Sequence, residues 1–200
     1  VNEKEIIMTL LNQNNQLQNQ IIELCKENKS MITNNNSYNK TFNLQVFLNE
    51  TCKDAMNIMD FVDSIKLQLT DLETVGKIGY VEGISNIIVK NLNSLDETKR
   101  PVHCTDTKRE VMYIKDDNKW EKENETKQKM RKVIKHIAHK NSKLLNDFQH
   151  KYPDCGKSDS KFADQYNKLV VEAMGGKGDN DLEKEDKIIK NIAKGVTIDK

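Results

Sequence analysis

His103 and Cys104 stand side by side in "PVHCTDTKREVMYI" (101–114), and both side-chain types can bind a soft metal ion or serve a nucleophilic site. Their flanks argue for structure instead. "PVHCT" and "EVMYIK" are rich in β-formers and are separated by the polar "DTKR", which predicts a β-hairpin. Neighbours on a strand point to opposite faces, so His103 and Cys104 cannot easily share one ion. Further ligands would have to come from Cys52, His150 or Cys155, none at zinc-ligand spacing. His136 and His139 form a second pair, on an expected helix, with no further ligands nearby in sequence. "GGKGD" (175–179) has the glycines of a phosphate loop but lacks GxxxxGK[ST] and follows a helix where a P-loop needs a strand, so it reads as a helix stop. Neither GxSxG nor HExxH occurs. These residues imply a protein that is not an enzyme and uses no metal and no cofactor.

The strongest chemical signal is charge. Residues 127–143, "KQKMRKVIKHIAHKNSK", carry Lys127, Lys129, Arg131, Lys132, Lys135, Lys140 and Lys143 with no acid. Helical spacing sets Lys132, His136, His139 and Lys143 on a face away from the apolar stripe, with Arg131 and Lys135 beside it. Such a face neutralises phosphates, and each contact makes binding more salt-sensitive. Lys108 and Arg109, at the expected hairpin tip, would extend it. The candidate nucleic-acid-binding set is therefore Lys108, Arg109, Lys127, Arg131, Lys132, Lys135 and Lys143, with double-stranded DNA as the expected partner. The plainer alternative is a solvated face in a chain where 29 of 32 basic residues are lysine. Residues 50–99, by contrast, hold nine acids against five lysines.

The elements that must position these residues are mostly helical. Apolar spacing predicts helices over 50–65, 70–79 and 81–95, the second opened by a capping-box spacing from Thr70 to Glu73. Three helices followed by a hairpin is the order of a winged helix-turn-helix domain lacking its small first strand. Its recognition helix would offer only Asn86, Lys90, Asn91 and Asn93 as polar reach, so protein contact competes with DNA contact. "KDDNKWEK" (115–122) is expected to turn the chain into a long helix over 123–149, followed by helices over 161–174 and 178–194. The fold class is thus mainly α with one β-hairpin: a winged-helix-like domain over 41–122 and a C-terminal helical region over 123–200.

Ahead of this body, residues 1–32 read as a coiled coil and 33–40 as a linker. With Ile7 at a, the a positions are Ile7, Asn14, Ile21 and Asn28, and the d positions Leu10, Leu17, Leu24 and Met31. Leu at d with Ile at a favours two parallel strands, and Asn at a fixes register at some cost in stability. A parallel homodimer is expected; largely Gln e and g positions leave a trimer as the alternative. Val1 with the period already running implies a chain that starts inside a longer protein.

At 200 residues, 36% hydrophobic and 32% charged, the chain has room for modest cores, and its longest apolar runs are far too short to span a bilayer. Cysteines at 25, 52, 104 and 155 form no CxxC pair, so reduced thiols and an intracellular, non-membrane protein are expected. The stretches "TFNLQVFLNETCKDAMNIMDFVDSI", "RPVHCTDTKREVMYIKD", "YPDCGKSDSKFADQYNKLVVEAMGG" and "DNDLEKEDKIIKNIAK" resemble the C-terminal region of an uncharacterised zinc-finger and coiled-coil protein family of giant nucleocytoplasmic DNA viruses. The likeness covers roughly residues 41–200. It implies a zinc finger N-terminal to the coiled coil, whose ligands are not in this chain, and a place in the host cytoplasm or viral factory. No residue roles carry over. The expected function is that of a dimeric viral DNA-binding or regulatory protein, with a scaffolding protein as the alternative.

Overall fold

The computed structural model describes residues 42–198 together with Gln13, Gln16 and Leu17. Of the heptad positions only Leu17 falls among these; it is helical and 58% exposed. Ile7, Leu10, Asn14, Ile21, Leu24, Asn28, Met31 and the linker 33–40 lie outside the described residues.

The compact unit spans Phe42–Lys200 and is mainly helical with a small antiparallel sheet. Asn43 opens it: its side chain accepts the backbone N–H groups of Gln45 and Val46, capping the short α1 (Leu44–Val46). A π turn over Phe47–Thr51 follows, then α2 (Ile58–Ser64), α3 (Leu69–Ile78) and α4 (Tyr80–Asn93). The helix expected over 50–65 therefore begins only at Ile58. Cys52, with φ −98° and ψ 22°, ends the π turn, and the residues after it are turned so that the Lys53 carbonyl meets the buried Lys115 ammonium. Gly79 alone separates α3 from α4, at φ 96°, where an L side chain is strained. Because Gly79 has no side chain to cap α4, the Glu172 carboxylate does so from elsewhere in the chain, accepting the Tyr80 N–H at 2.7 Å.

Strands β1 (Val102–Asp106), β2 (Val111–Asp116) and β3 (Lys119–Lys122) form one antiparallel sheet in that order. The third strand corrects the single hairpin expected. Asp117 and Asn118 both take positive φ, 45° and 61°, the conformation of a two-residue turn that matches strand twist. The chain therefore folds back at 117–118 and pairs Asp116 with Lys119. For the same reason the long helix α5 (Gln128–Lys151) starts later than 123: Lys127 sits at φ 55°, outside the right-handed helical region. Helices α6 (Ala163–Ala173) and α7 (Asp181–Gly195) complete the unit, and Gly175 and Gly176, at φ 109° and 71°, end the α6 run as expected of a helix stop.

Two clusters of buried residues both rest on α5. Met130, Val133, Ile134 and Ile137 pack with α2, α4, α7 and the inner sheet face, while Phe148 packs with Leu72, Cys155, Leu169 and Ala173. One core thus runs through both stretches that the sequence divides at 122/123. Among the described residues no helix is long and apolar enough to cross a membrane.

His103 and Cys104 do point to opposite faces, and both faces are covered: the two residues are 1% and 0% exposed. Cys104 joins the main core, and its N–H and C=O pair with Val196 and Ile198, which close the free edge of β1. His103 lies under the π turn, its ring edge-on to Phe47 and its Nε2 3.6 Å from the Cys52 Sγ. Burial, helped by the charge of Arg100, pushes the imidazole down from 6.5 to about 4. Burial first, then the Glu97 carboxylate, pushes the Cys52 thiol up to about 11. A neutral imidazole and a protonated thiol pack here at neutral pH, the opposite of an activated thiolate.

This burial carries a pH signature. An unfolded chain protonates His103 near 6.5 and the folded one only near 4, so the contribution is whole above pH 6.5 and is lost as pH falls toward 4. At about 1.4 kcal/mol per pH unit, roughly 3 kcal/mol should disappear across that window. Urea unfolding at pH 7 and pH 4.5 should show His103→Gln losing less stability on acidification than the wild type. Equal losses would mean that His103 is not held neutral by burial.

Candidate nucleic-acid interface

The buried stripe of α5 (Met130, Val133, Ile134, Ile137, Asn141, Phe148) follows the helical period, so its cations must leave on the flanks or the outer face. Four leave on the flanks and are engaged there. Lys127 pairs with Glu110, and Lys129 with Asp116 at 3.1 Å and Glu121 at 2.6 Å, tying the start of α5 to the sheet. Arg131 donates to Glu185 at 2.8 Å and Asp186 at 2.6 Å, tying it to α7. Lys140 donates to the carbonyls of Val62, Asp63 and Ile65, placing an ammonium on the C-terminal end of α2, where a helix dipole favours it.

The other three, Lys132, Lys135 and Lys143, are exposed, as are His136 and His139 between them. Lys135 approaches Glu185 only to 3.8 Å and keeps 71% of its side chain in solvent, an arrangement of little energetic weight. From Lys132 to Lys143 the helix rises about 17 Å at 1.5 Å per residue. Lys108 and Arg109 are exposed at the β1–β2 turn, where Asp106 Oδ1 accepts both their N–H groups. The Lys127–Glu110 pair holds this turn beside the first turn of α5. Of the seven residues singled out by sequence, five are thus open to solvent, whereas Lys127 and Arg131 face carboxylates of the fold. On α4, Asn86, Lys90 and Asn93 are exposed, while Asn91 turns back to donate to the Ile87 carbonyl.

Beside the basic face lies a cleft of about 250 Å³ between α5, α7 and the loop after α6, bordered by Tyr80, Lys135, His139, Met174, Asp181 and Glu185. Glu185 is 5% exposed and held by Arg131; Met174 is 74% exposed. The Tyr80 hydroxyl makes no hydrogen bond among the described residues, and burial, with Glu185 and Asp181 adding, pushes it up to about 12, so it stays a donor. Sequence reasoning passed over this cleft, although Glu185 carries a signal: it falls one turn before Ile188 and Ile189, in line with the apolar spacing on the buried side of α7. A carboxylate inside an apolar stripe requires a partner.

Among the described residues no group of three His, Cys, Asp or Glu could hold a metal ion. Comparison with protein-family models, with curated proteins and with solved structures finds no match.

Removing Arg131 would leave Glu185 buried and facing only a distant ammonium. Arg131→Gln should therefore cost about 3 kcal/mol or more in chemical denaturation. A loss under about 1 kcal/mol would mean that the pair behaves as a solvated surface contact.

Proposed function

We propose that this protein is a non-enzymatic DNA-binding protein that holds duplex phosphates on the outer face of α5, as a homodimer joined through the heptad segment, in a viral DNA-binding or regulatory role. The observation that carries this reading is the division of cations on α5: four are engaged inside the fold, and Lys132, Lys135 and Lys143 are left on one exposed face with two histidines. Cations with structural partners would explain a basic stretch without any ligand; these three are not explained that way. Their span of about 17 Å is roughly half a turn of duplex, enough to follow one run of phosphates.

The winged-helix order supports the same reading, with the β1–β2 turn as wing carrying Lys108 and Arg109. Exposed Asn86, Lys90 and Asn93 on α4 supply limited reach toward base edges, so phosphate contact dominates and binding is largely independent of sequence. The resemblance to the viral family adds the setting, the host cytoplasm or viral factory. Replacing Lys132, Lys135 and Lys143 by Gln should weaken binding to all duplexes alike, and the salt slope should shrink by about 0.9 for each lost contact. Equal, weak binding by wild type and triple variant at two salt concentrations would remove α5 from any DNA-binding role.

A scaffolding role is the second reading, favoured by Leu17, which is helical and 58% exposed within one chain and so presents apolar surface to another. Light scattering should give a dimer mass for the whole chain, and Asn14→Ile should stabilise the assembly while loosening its choice of order. A monomer at micromolar concentration would end the coiled-coil part of both readings.

A further inference from the structure

We propose that the cleft beside the basic face takes one unpaired nucleobase, guanine by preference, from a strand whose phosphates lie on Lys132, Lys135 and Lys143. The inference rests on the nucleic-acid reading of that face and adds a base-recognising site to it. Three observations carry it. The cleft opens directly onto the face, since Lys135 and His139 border both, and its volume of about 250 Å³ has room for a nucleobase. Its sides supply what a flat ring packs against: the His139 ring and the Met174 thioether, which is left 74% exposed. Its polar groups are of the kinds that read a base edge: Glu185 and Asp181 are acceptors, and the Tyr80 hydroxyl is a donor without a partner among the described residues.

Guanine fits that edge best. Two adjacent donors, N1–H and N2–H₂, meet the carboxylates, and O6 meets the Tyr80 hydroxyl. Thymine in the same pose offers O4 to the Tyr80 hydroxyl and N3–H to one carboxylate but sets its O2 carbonyl against the other, and a site built around hydrogen bonds disfavours a ligand that leaves one unmade. The carboxylates do not repel the neighbouring phosphates strongly, because Arg131 already neutralises Glu185 at 2.8 Å, and Lys184 stands 3.7 Å from Asp181. A lysine or arginine side chain of a peptide could also satisfy two carboxylates. Its approach runs past Lys132, Lys135 and Lys143, so charge complementarity at the mouth favours a polyanion.

The test uses the whole chain and three labelled DNAs: a blunt duplex, the same duplex with an all-thymine single-stranded overhang, and that overhang with one guanine. Fluorescence anisotropy should give about tenfold tighter binding to the guanine overhang than to the other two, the scale of one stacked and hydrogen-bonded base. Tyr80→Phe and Met174→Ser, on separate elements, should each remove most of that gain and leave blunt-duplex affinity unchanged. The lysine triple variant should weaken all three DNAs together. Equal affinity for the two overhangs, or a guanine gain that survives both cleft variants, overturns the base site while the duplex reading stands. Failure of wild type to bind any of the three DNAs would instead overturn the duplex reading and the base site with it. Competition by an arginine-rich peptide that Tyr80→Phe abolishes, with no guanine preference, would assign the cleft to cationic side chains and overturn the base.

Discussion

Burial of one face of α5 is the constraint on which the rest of the structure depends. The helix is 24 residues long, and its stripe of Met130, Val133, Ile134, Ile137 and Phe148 supplies a wall to both hydrophobic clusters. At roughly 1.5–3 kcal/mol for each large side chain removed from water, these few residues outweigh any ion pair on the surface of the unit. Once the stripe is buried, the rotation of α5 is set, and with it the direction of every cation between 127 and 143. The exposed basic face is the remainder left by core packing and by local pairing.

Electrostatics then refines what packing has set. Lys127 and Lys129 fasten the sheet to the start of α5, Arg131 fastens α7, and Lys140 closes the end of α2. Each meets a carboxylate or carbonyl end supplied from elsewhere in the fold, and Glu185 shows why: a carboxylate 5% exposed requires a cation nearby. The same logic identifies Asn141 as unusual. It is 0% exposed on the α5 stripe, between Ile137 and Phe148, and neither its amide nitrogen nor its oxygen has a hydrogen-bond partner among the described residues. A buried amide of that kind costs stability, whereas Leu would have continued the stripe.

Long helices were legible because apolar spacing survives without context: α4, α5, α6 and α7 lie within a few residues of the expected spans. Features set by single φ values were not. Asp117 and Asn118 made a hairpin turn that the polar run "KDDNK" concealed, and Lys127 delayed the start of α5 by its left-handed backbone. Asp and Asn at adjacent positions are among the residues that tolerate such turns, so the third strand had a signal in the sequence. The basic stretch was legible as charge but not as function, because pairing partners such as Glu110, Glu121 and Glu185 come from elsewhere in the chain. The proximity of Cys52 to His103, 51 residues apart, is equally tertiary, and burial makes the pair structural.

The cations of α5 divide into a group engaged within the fold and an outer group proposed to face phosphates. Lysine acetylation read by mass spectrometry, with and without saturating duplex DNA at low salt, tests this residue by residue. Lys132, Lys135 and Lys143 should react readily in the free protein and be shielded by DNA, while Lys127, Lys129 and Lys140 should react slowly in both states. Unchanged reactivity of the three outer lysines under saturating DNA, or fast reaction of the inner three that DNA suppresses, would contradict it.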